Sequence, residues 1–431
     1  MNTAVLGAGI AGLAYMAHAQ GEQEDHITIY EKNSRPGGLC MTMERDGFLF
    51  DLGPHMSFTA DQTVRALFDQ SRYRTMPPEP VSYYKGKYVK HPVSHNLYGL
   101  DVAERCECLE SFLDRDTDRK ICNYADWLSC SYGTVMKERF YDVYTRKYWR
   151  MESEKLSASW MGPRFVHTDR HQVLYGAMTD NTGNGMYMQE LRYPVQGGFE
   201  TFLNPLKEPD QTVYKSIRYK KEVKSIDADR KVLFFSDGTT ASYDRLVSSL
   251  PLNRMPYIIQ NAPAQVKAAA DRLRYTKISM VTVAFGIPDA ARYLSLYVYD
   301  EDILAARIHS PGLMSENNVP KGCSSYQFEI YHLDTETPDP EKIMENVKYS
   351  IQQMQIAALN KVIFMDYRPV PYAQVVFYNG MEEDRKIVLD YLHMLGIESV
   401  GRFGAWEYYW SDQSYASGKN AAVRNRRKEK G

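Results

Sequence analysis

The stretch AVLGAGIAGLAYMAHA, residues 4–19, decides the fold. A short apolar run ends at Gly7, and Gly9 and Gly12 then open a helical pattern. HITIYEK, residues 26–32, supplies a second strand that stops at Glu31, 19 positions after Gly12. Each part has a physical reason. Gly7 permits the tight turn, Gly9 lets the backbone approach a pyrophosphate, and Gly12 lets helix and sheet pack closely. The helix N-terminus stabilises phosphate charge, and Glu31 can accept hydrogen bonds from a ribose. Strand, helix, strand and acidic residue together predict an α/β protein with a Rossmann-like dinucleotide site.

Working outward, EKNSRPGGLC, residues 31–40, adds Lys32, Arg35, Gly37, Gly38 and Leu39 as a second glycine loop beside the first. Next comes DGFLFDLGPHMSF, residues 46–58, a strand-like alternation that ends in Gly53-Pro54 and then His55. Met56 and Phe58 read as packing residues. Residues 101–160 read as mostly helical, with apolar residues at three-to-four spacing in YADWLSCSYGTVMKERFYDVY, residues 124–144. Residues 210–250 read as strands with an Asp-Gly hairpin turn at 237–238, followed by further strands over 276–331 and a helical stretch near 339–359. The basic end, RNRRKEKG, residues 424–431, reads as a frayed terminus.

Composition narrows the function. A chain of 431 residues is too long for one compact domain and can bury a large core. With 52 Lys and Arg against 54 Asp and Glu, the formal net charge of −2 argues against nucleic acid or an anionic membrane surface as the principal partner. Any anion site must be local. The six cysteines show no paired spacing for zinc and read as free thiols in a reducing cytoplasm. No segment approaches a membrane span, and no metal site is expected.

The second glycine loop and the DGFLFDLGPHMSF segment resemble FAD enzymes of the amine oxidase and protoporphyrinogen oxidase superfamily. GRFGAWEYYWSDQSYASGKNAA, residues 401–422, is similar to that group's C-terminal flavin-binding segment. Within the superfamily the chain most resembles the UDP-galactopyranose mutases, over most of its length. The resemblance implies a Rossmann-like FAD-binding domain, residues 1–70, 190–275 and 395–431, with a discontinuous mixed helical and β-sheet substrate domain, residues 71–189 and 276–394. It implies FAD, active in its reduced form, on Gly7, Gly9, Gly12, Glu31, Lys32, Arg35, Gly37, Gly38, Leu39, Val223, Arg402, Asp412, Gln413 and Ser414.

The same resemblance sets His55 beneath the flavin, and Arg164 of SWMGPRF and Arg307 of LAARIHS as a diphosphate clamp. Tyr144 and Trp149 of YTRKYW take the uridine segment, while Tyr297, Tyr372 and Tyr408 line phosphate and sugar. Trp149 reads equally as a core residue. The implied reaction interconverts pyranose and furanose forms of a nucleotide-diphosphate sugar, with reduced FAD N5 attacking the anomeric carbon, as in polysaccharide biosynthesis. Two arginines suit it, because each presents a fixed fork of donors that never loses its charge. The sequence carries no second dinucleotide fingerprint, so electrons would come from transient NAD(P)H or a reductase. Pro54 departs from the mutase loop, which has a small residue there, and implies a stiffer turn. Two alternatives stay open: a flavin oxidase or desaturase of the protoporphyrinogen oxidase or amine oxidase type, and a flavin-binding protein without turnover.

Overall fold

Alternation along the first strand sorts its side chains onto two faces. Val5 joins a core with Ile27, Ile29, Leu13 and Val247, whereas Ala4 and Leu6 turn to the opposite core with Leu246 and Trp406. A strand buried on both faces belongs inside a parallel sheet. In the computed structural model, which describes residues 1–19, 26–161, 169–180, 188–207 and 215–430, that sheet has five strands. Their order is Ile397–Ser399, Arg245–Ser248, Asn2–Leu6, His26–Tyr30, Lys215–Arg218, all parallel. A three-stranded antiparallel meander, Val223–Asp227, Val232–Phe235 and Thr240–Ser242, is attached, and its Asp237-Gly238 turn is the expected hairpin.

A second sheet of seven strands forms the other half. Its order is Val362–Val375, Tyr275–Phe285, Ser324–Leu333, Arg307–His309, Ser295–Val298, Val81–Tyr84, Lys87–Lys90. Every pairing is antiparallel except that between Ser295–Val298 and Val81–Tyr84. Register matters here: Arg307 stands opposite Tyr297 on one side and Glu329 on the other. Helices Val102–Leu113, Tyr124–Met136 and Asp142–Trp149 cover this half, as the three-to-four spacing predicts, joined by a π-helical turn at Lys137–Tyr141. The stretch expected near 339–359 is a helix over Pro340–Gln353, capped by the Asp339 carboxylate. All six cysteines are free thiols.

The chain end is a correction to the sequence reading. The last helix, Ser411–Lys430, runs into the basic stretch, whose first two residues, Arg424 and Asn425, are docked. Asn425 is buried and its Nδ2 donates to Tyr15 Oη at 3.1 Å, while Arg424 pairs with Glu398. The helix lies on the first helix, Ile10–His18, through small residues: a Cβ at Gly418 would sit 2.0 Å from the Ala11 carbonyl oxygen. Charge alone suggested a solvated tail; Tyr15 and Glu398 supply the partners that bind it.

Gly418→Ala should therefore destabilise the protein by about 1–3 kcal/mol in urea unfolding, because backbone cannot move aside as a flexible side chain can. That loss should outweigh the roughly 1 kcal/mol that Ala gains over Gly in helix propensity. Gly286→Ala, where a Cβ meets only ordinary contacts at 3.7–3.9 Å, is the control and should change little.

Candidate functional site

The first strand delivers Gly7 in the left-handed region, φ 94°, with the helix Ile10–His18 directly behind it. A Cβ on Gly12 would sit 2.1 Å from Gly7 O, so only glycine allows that helix to approach the turn. Gly9 caps the helix without any side-chain hydrogen bond, which leaves the N–H groups of its first turn for a ligand anion. The second glycine loop touches the first backbone to backbone: Gly37 N–H donates to Ala8 O at 2.8 Å, and a Cβ on Gly38 would meet Gly9 Cα at 2.9 Å. Glu31 is buried at the end of its strand, its two oxygens accepting from Ala8 N–H and Asn33 N–H, both at 2.8 Å. Gly7, Gly9, Glu31, Lys32, Gly37, Gly38 and Leu39 line one end of a cavity of about 670 Å³, a volume that suits a cofactor.

Some residues expected at this end stand elsewhere. Arg35 does not line the cavity: Nη1 donates to Glu200 Oε2 at 2.9 Å and Nη2 to Thr42 O at 2.6 Å, so its charge fastens the loop to residues 42 and 200. Val223 packs against the core beneath the meander. Asp412 and Gln413 turn to the start of the last helix, with Asp412 Oδ1 accepting from Gln413 N–H and Gln413 Oε1 from Trp410 N–H. Ser414, the next residue, does face the cavity.

The middle of the cavity is built by the loop after Phe48–Asp51. His55 N–H donates to Gly53 O at 2.8 Å, closing a three-residue turn around Pro54, whose ring holds φ near the value such a turn needs. The His55 ring packs on Phe199 at 5.2 Å, and its buried Nδ1 has no hydrogen-bond partner among the described residues. Burial above all, with the Arg402 and His309 charges, lowers its pKa to about 4, so the imidazole is neutral at pH 7. Arg402 comes from the other end of the chain. Its Nε donates to Tyr409 O at 2.5 Å and its Nη1 to Ala373 O and Gln374 Oε1 at 3.1 Å. Met56 and Phe58, read from sequence as packing, also form cavity wall, and Phe58 meets Trp410 edge to face at 4.6 Å.

Arg307 dominates the far end. Its Nε and Nη2 donate to Glu329 Oε2 at 3.1 and 2.6 Å, and Nη2 also donates to Tyr331 Oη at 3.0 Å. The Tyr331 hydroxyl in turn donates to Glu329 Oε2 at 2.6 Å. Tyr297, Tyr148 and Tyr408 complete this wall, with the Tyr148 ring 5.2 Å from the guanidinium carbon. Tyr372 lines the cavity nearer the dinucleotide end, beside Phe403 and with its hydroxyl 3.3 Å from Asn253 Oδ1. Arg164 lies outside the described residues.

Tyr144 and Trp149 are not on the cavity surface. Tyr144 stacks behind Tyr148 and Tyr297, and Trp149 is core, 4% exposed, against Tyr148, Trp160 and Tyr408. One helical turn separates Tyr144 from Tyr148, and the later residue of the pair reaches the cavity. Sequence reading missed Tyr148, His309, Glu329 and Tyr331. The signal was there: Glu329 is a lone carboxylate in a strand buried from Ser324 to Tyr331, and the period of two puts Tyr331 with Glu329 and His309 with Arg307.

Comparison with known proteins separates fold from local sequence. Residues 5–71 match the family described as NAD(P)-binding Rossmann-like domain. A 4,4'-diapophytoene desaturase (4,4'-diaponeurosporene-forming) of Staphylococcus haemolyticus (strain JCSC1435) is 42% identical over 76 residues, 17% of this chain and 14% of that protein. The Staphylococcus aureus (strain COL) desaturase is 43% identical over 61 residues, 14% of this chain and 12% of that one. The matched region thus spans about one seventh of these curated relatives. Likeness in structure extends over the whole chain. A protein from Exiguobacterium sp. 255-15 described as a protoporphyrinogen oxidase superposes with TM-score 0.75 at 16% identity, covering 98% of both chains. Reduced UDP-galactopyranose mutase superposes with TM-score 0.91 at 21% identity, covering 98% of this chain and 93% of that one. Glycine loops, histidine turn and arginine-bearing sheet are thus arranged in the fold of UDP-galactopyranose mutase.

Proposed function

We propose that the protein is an FAD-dependent nucleotide-sugar mutase that interconverts pyranose and furanose forms, of the UDP-galactopyranose/UDP-galactofuranose type. The observation that carries this reading is Arg307, set with tyrosine hydroxyls in the same cavity as the uncapped helix N-terminus. FAD fits the residues present: Gly9 and Gly38 leave room for its pyrophosphate, Glu31 is placed for the ribose, and the unpartnered Nδ1 of His55 awaits a polar edge. In this reading residues 1–70, 190–275 and 395–431 hold the cofactor and the remainder holds the sugar nucleotide. Bound in its reduced form, FAD would supply a nucleophilic N5 to the anomeric carbon.

The chain's own residues have separate tasks. Arg307, with Arg164 as its proposed partner, binds the diphosphate and stabilises the charge that grows there as the sugar C1–O bond breaks. Tyr297 and Tyr408 orient phosphate and sugar. His55, neutral, orients the loop carbonyls and takes no proton from the sugar. Tyr144 and Trp149 act from behind, by fixing Tyr148 and Tyr408. The electron donor is NAD(P)H or a reductase. A second reading, an FAD-dependent oxidase or desaturase, is favoured by the apolar wall of Met56, Phe58, Met188 and Leu191 and by the 76-residue likeness to a desaturase. That reading has no use for a diphosphate-binding arginine.

Purified protein should be yellow with non-covalent FAD that acid precipitation releases; colourless protein that FAD cannot restore would refute the assignment. The decisive assay follows UDP-galactofuranose conversion by dithionite-reduced and oxidised protein, with turnover expected only in the reduced state.

Arg307→Ala should weaken UDP binding by tens-fold or more, consistent with about 2–5 kcal/mol for truncating one partner of a buried charge pair, with FAD retained. Alanine also strands the Glu329 carboxylate, so Arg307→Met combined with Glu329→Gln is the control for folding. Full UDP affinity in both variants would favour the oxidase reading.

His55→Ala should keep FAD and fold, lose most turnover and shift the visible flavin spectrum. Normal turnover with an unaltered spectrum would remove His55 from the site.

A further inference from the structure

Arg307 does not present a free charge. Its guanidinium is matched one to one by Glu329, which is wholly buried. Such a pair is neutral as a unit and would hold a dianion poorly. A third group changes the balance: His309, two residues along the same strand, lines the same cavity, is 2% exposed and sets Nδ1 3.3 Å from Glu329 Oε1.

The protons on this ring follow from hydrogen-bond direction. Gln327 Nε2 donates to the Asp51 carbonyl at 3.1 Å and to Thr282 Oγ1 at 3.2 Å. A carbonyl can only accept, so the amide orientation is fixed and Gln327 Oε1 is the atom that meets His309 Nε2 at 3.0 Å. Nε2 must therefore carry a proton. A neutral ring would then leave the bare lone pair of Nδ1 3.3 Å from a carboxylate oxygen, two buried acceptors with no donor between them among the described residues. Burial works to raise the Glu329 pKa, but the Arg307 guanidinium and the Tyr331 hydroxyl, both donating to Oε2, hold the group in its charged form. Glu329 thus keeps its charge, and Nδ1 is left to take the second proton.

We infer that His309 is a positioning residue of the anion site, held as an imidazolium that restores a net positive charge to the Arg307–Glu329–His309 cluster. This rests on the reading of the cavity as a diphosphate site. Nε2 is engaged by Gln327, and Nδ1 and Glu329 Oε1 are both buried without a hydrogen-bond partner among the described residues, so His309 acts through its charge on Glu329: it stands beside Oε1 while Oε2 serves Arg307 and Tyr331. Of the other titratable neighbours, His55 is neutral at pH 7, whereas Asp51, whose carboxyl burial raises to about 6, is mostly ionised there; its carboxylate is turned to Thr42, Tyr193 and Phe199 and lies outside the three-residue cluster.

The test uses flavin-loaded protein at pH 7 and has two arms. In the first, imidazole ¹⁵N spectra of histidine-labelled protein, with the signal identified by its loss in His309→Gln, should show both nitrogens protonated; a singly protonated ring overturns the inference whether or not any nucleotide binds. In the second, UDP-galactose, whose two diphosphate charges do not titrate near pH 7, is the probe for calorimetric binding. His309→Gln should weaken it about tenfold, and His309→Gln with Glu329→Gln should recover to within about threefold of the parent, since the cluster is again singly positive. A structural role alone predicts the opposite order, with the double variant weaker than the single. Full affinity in His309→Gln overturns the inference while the diphosphate reading stands, whereas a parent that does not bind UDP-galactose removes the diphosphate reading and leaves the ¹⁵N arm to decide the ring's charge.

Discussion

The close approach of the C-terminal segment to Ala11 is the contact on which the cavity depends. Gly401 and Gly418 both face that residue: a Cβ on the first would lie 2.9 Å from Ala11 Cβ and on the second 2.0 Å from Ala11 O. Between them the chain carries Arg402, Tyr408 and Ser414 to the cavity. The helix they are pressed against begins at the phosphate-ready turn of Gly7 and Gly9. Joining parts so far apart in sequence costs closure entropy, which grows only slowly with loop length. Burial of Tyr415, Ala421 and Ala422, with the Tyr15–Asn425 hydrogen bond, offsets it.

At the far end the controlling term is electrostatic. A fully buried glutamate is costly unless paired, and even a paired one is often no more stabilising than well-packed apolar residues of the same volume. Stability is thus a poor reason for Arg307, Glu329, His309 and Tyr331 to share a cavity wall. Charge presented to a ligand is a better one. An apolar substrate would have to sit against an ion pair that has already lost most of its water, whereas a diphosphate finds oriented N–H and O–H donors. The same argument separates the two halves of the wall, since Met56, Phe58, Met188 and Leu191 can pack on rings but cannot hold an anion.

What could be read from sequence follows from how local each signal is. The glycine turn, the helix behind it and Glu31 lie within 25 consecutive residues, and each demands a backbone geometry that few residue types allow. The hairpin at Asp237-Gly238 and the helices over 102–149 were legible for the same reason. Glu329 was not, because its meaning comes from a register that sets it opposite Arg307, and pairing between distant strands leaves no local trace. Arg35 misled because cationic residues beside glycine loops suggest phosphate, and the carboxylate that occupies it, Glu200, is 165 positions away. Tyr144 misled by one helical turn: its segment is at the site, but Tyr148 is the side chain that emerges, and Trp149 is the core residue that the sequence equally allowed.

Pro54 and His55 bring these themes together. The proline turn directs the histidine ring back over Gly53, where a built Cβ would already be 3.4 Å from His55 Cε1. Burial beside Arg402 keeps that ring neutral and leaves Nδ1 unmatched, at a cost of about 1–3 kcal/mol for a buried polar atom without a partner. A fold tolerates such a cost most readily where a bound ligand removes it. The turn is rigid, the ring uncharged and the unmatched atom held next to the cavity, so the loop is suited to fixing the position of a cofactor edge. Charge and donors that would suit the proposed leaving diphosphate are concentrated instead around Arg307. The cavity therefore divides its labour by position: geometry is set at the proline turn, and charge is set on the strands that carry Arg307, His309 and Glu329.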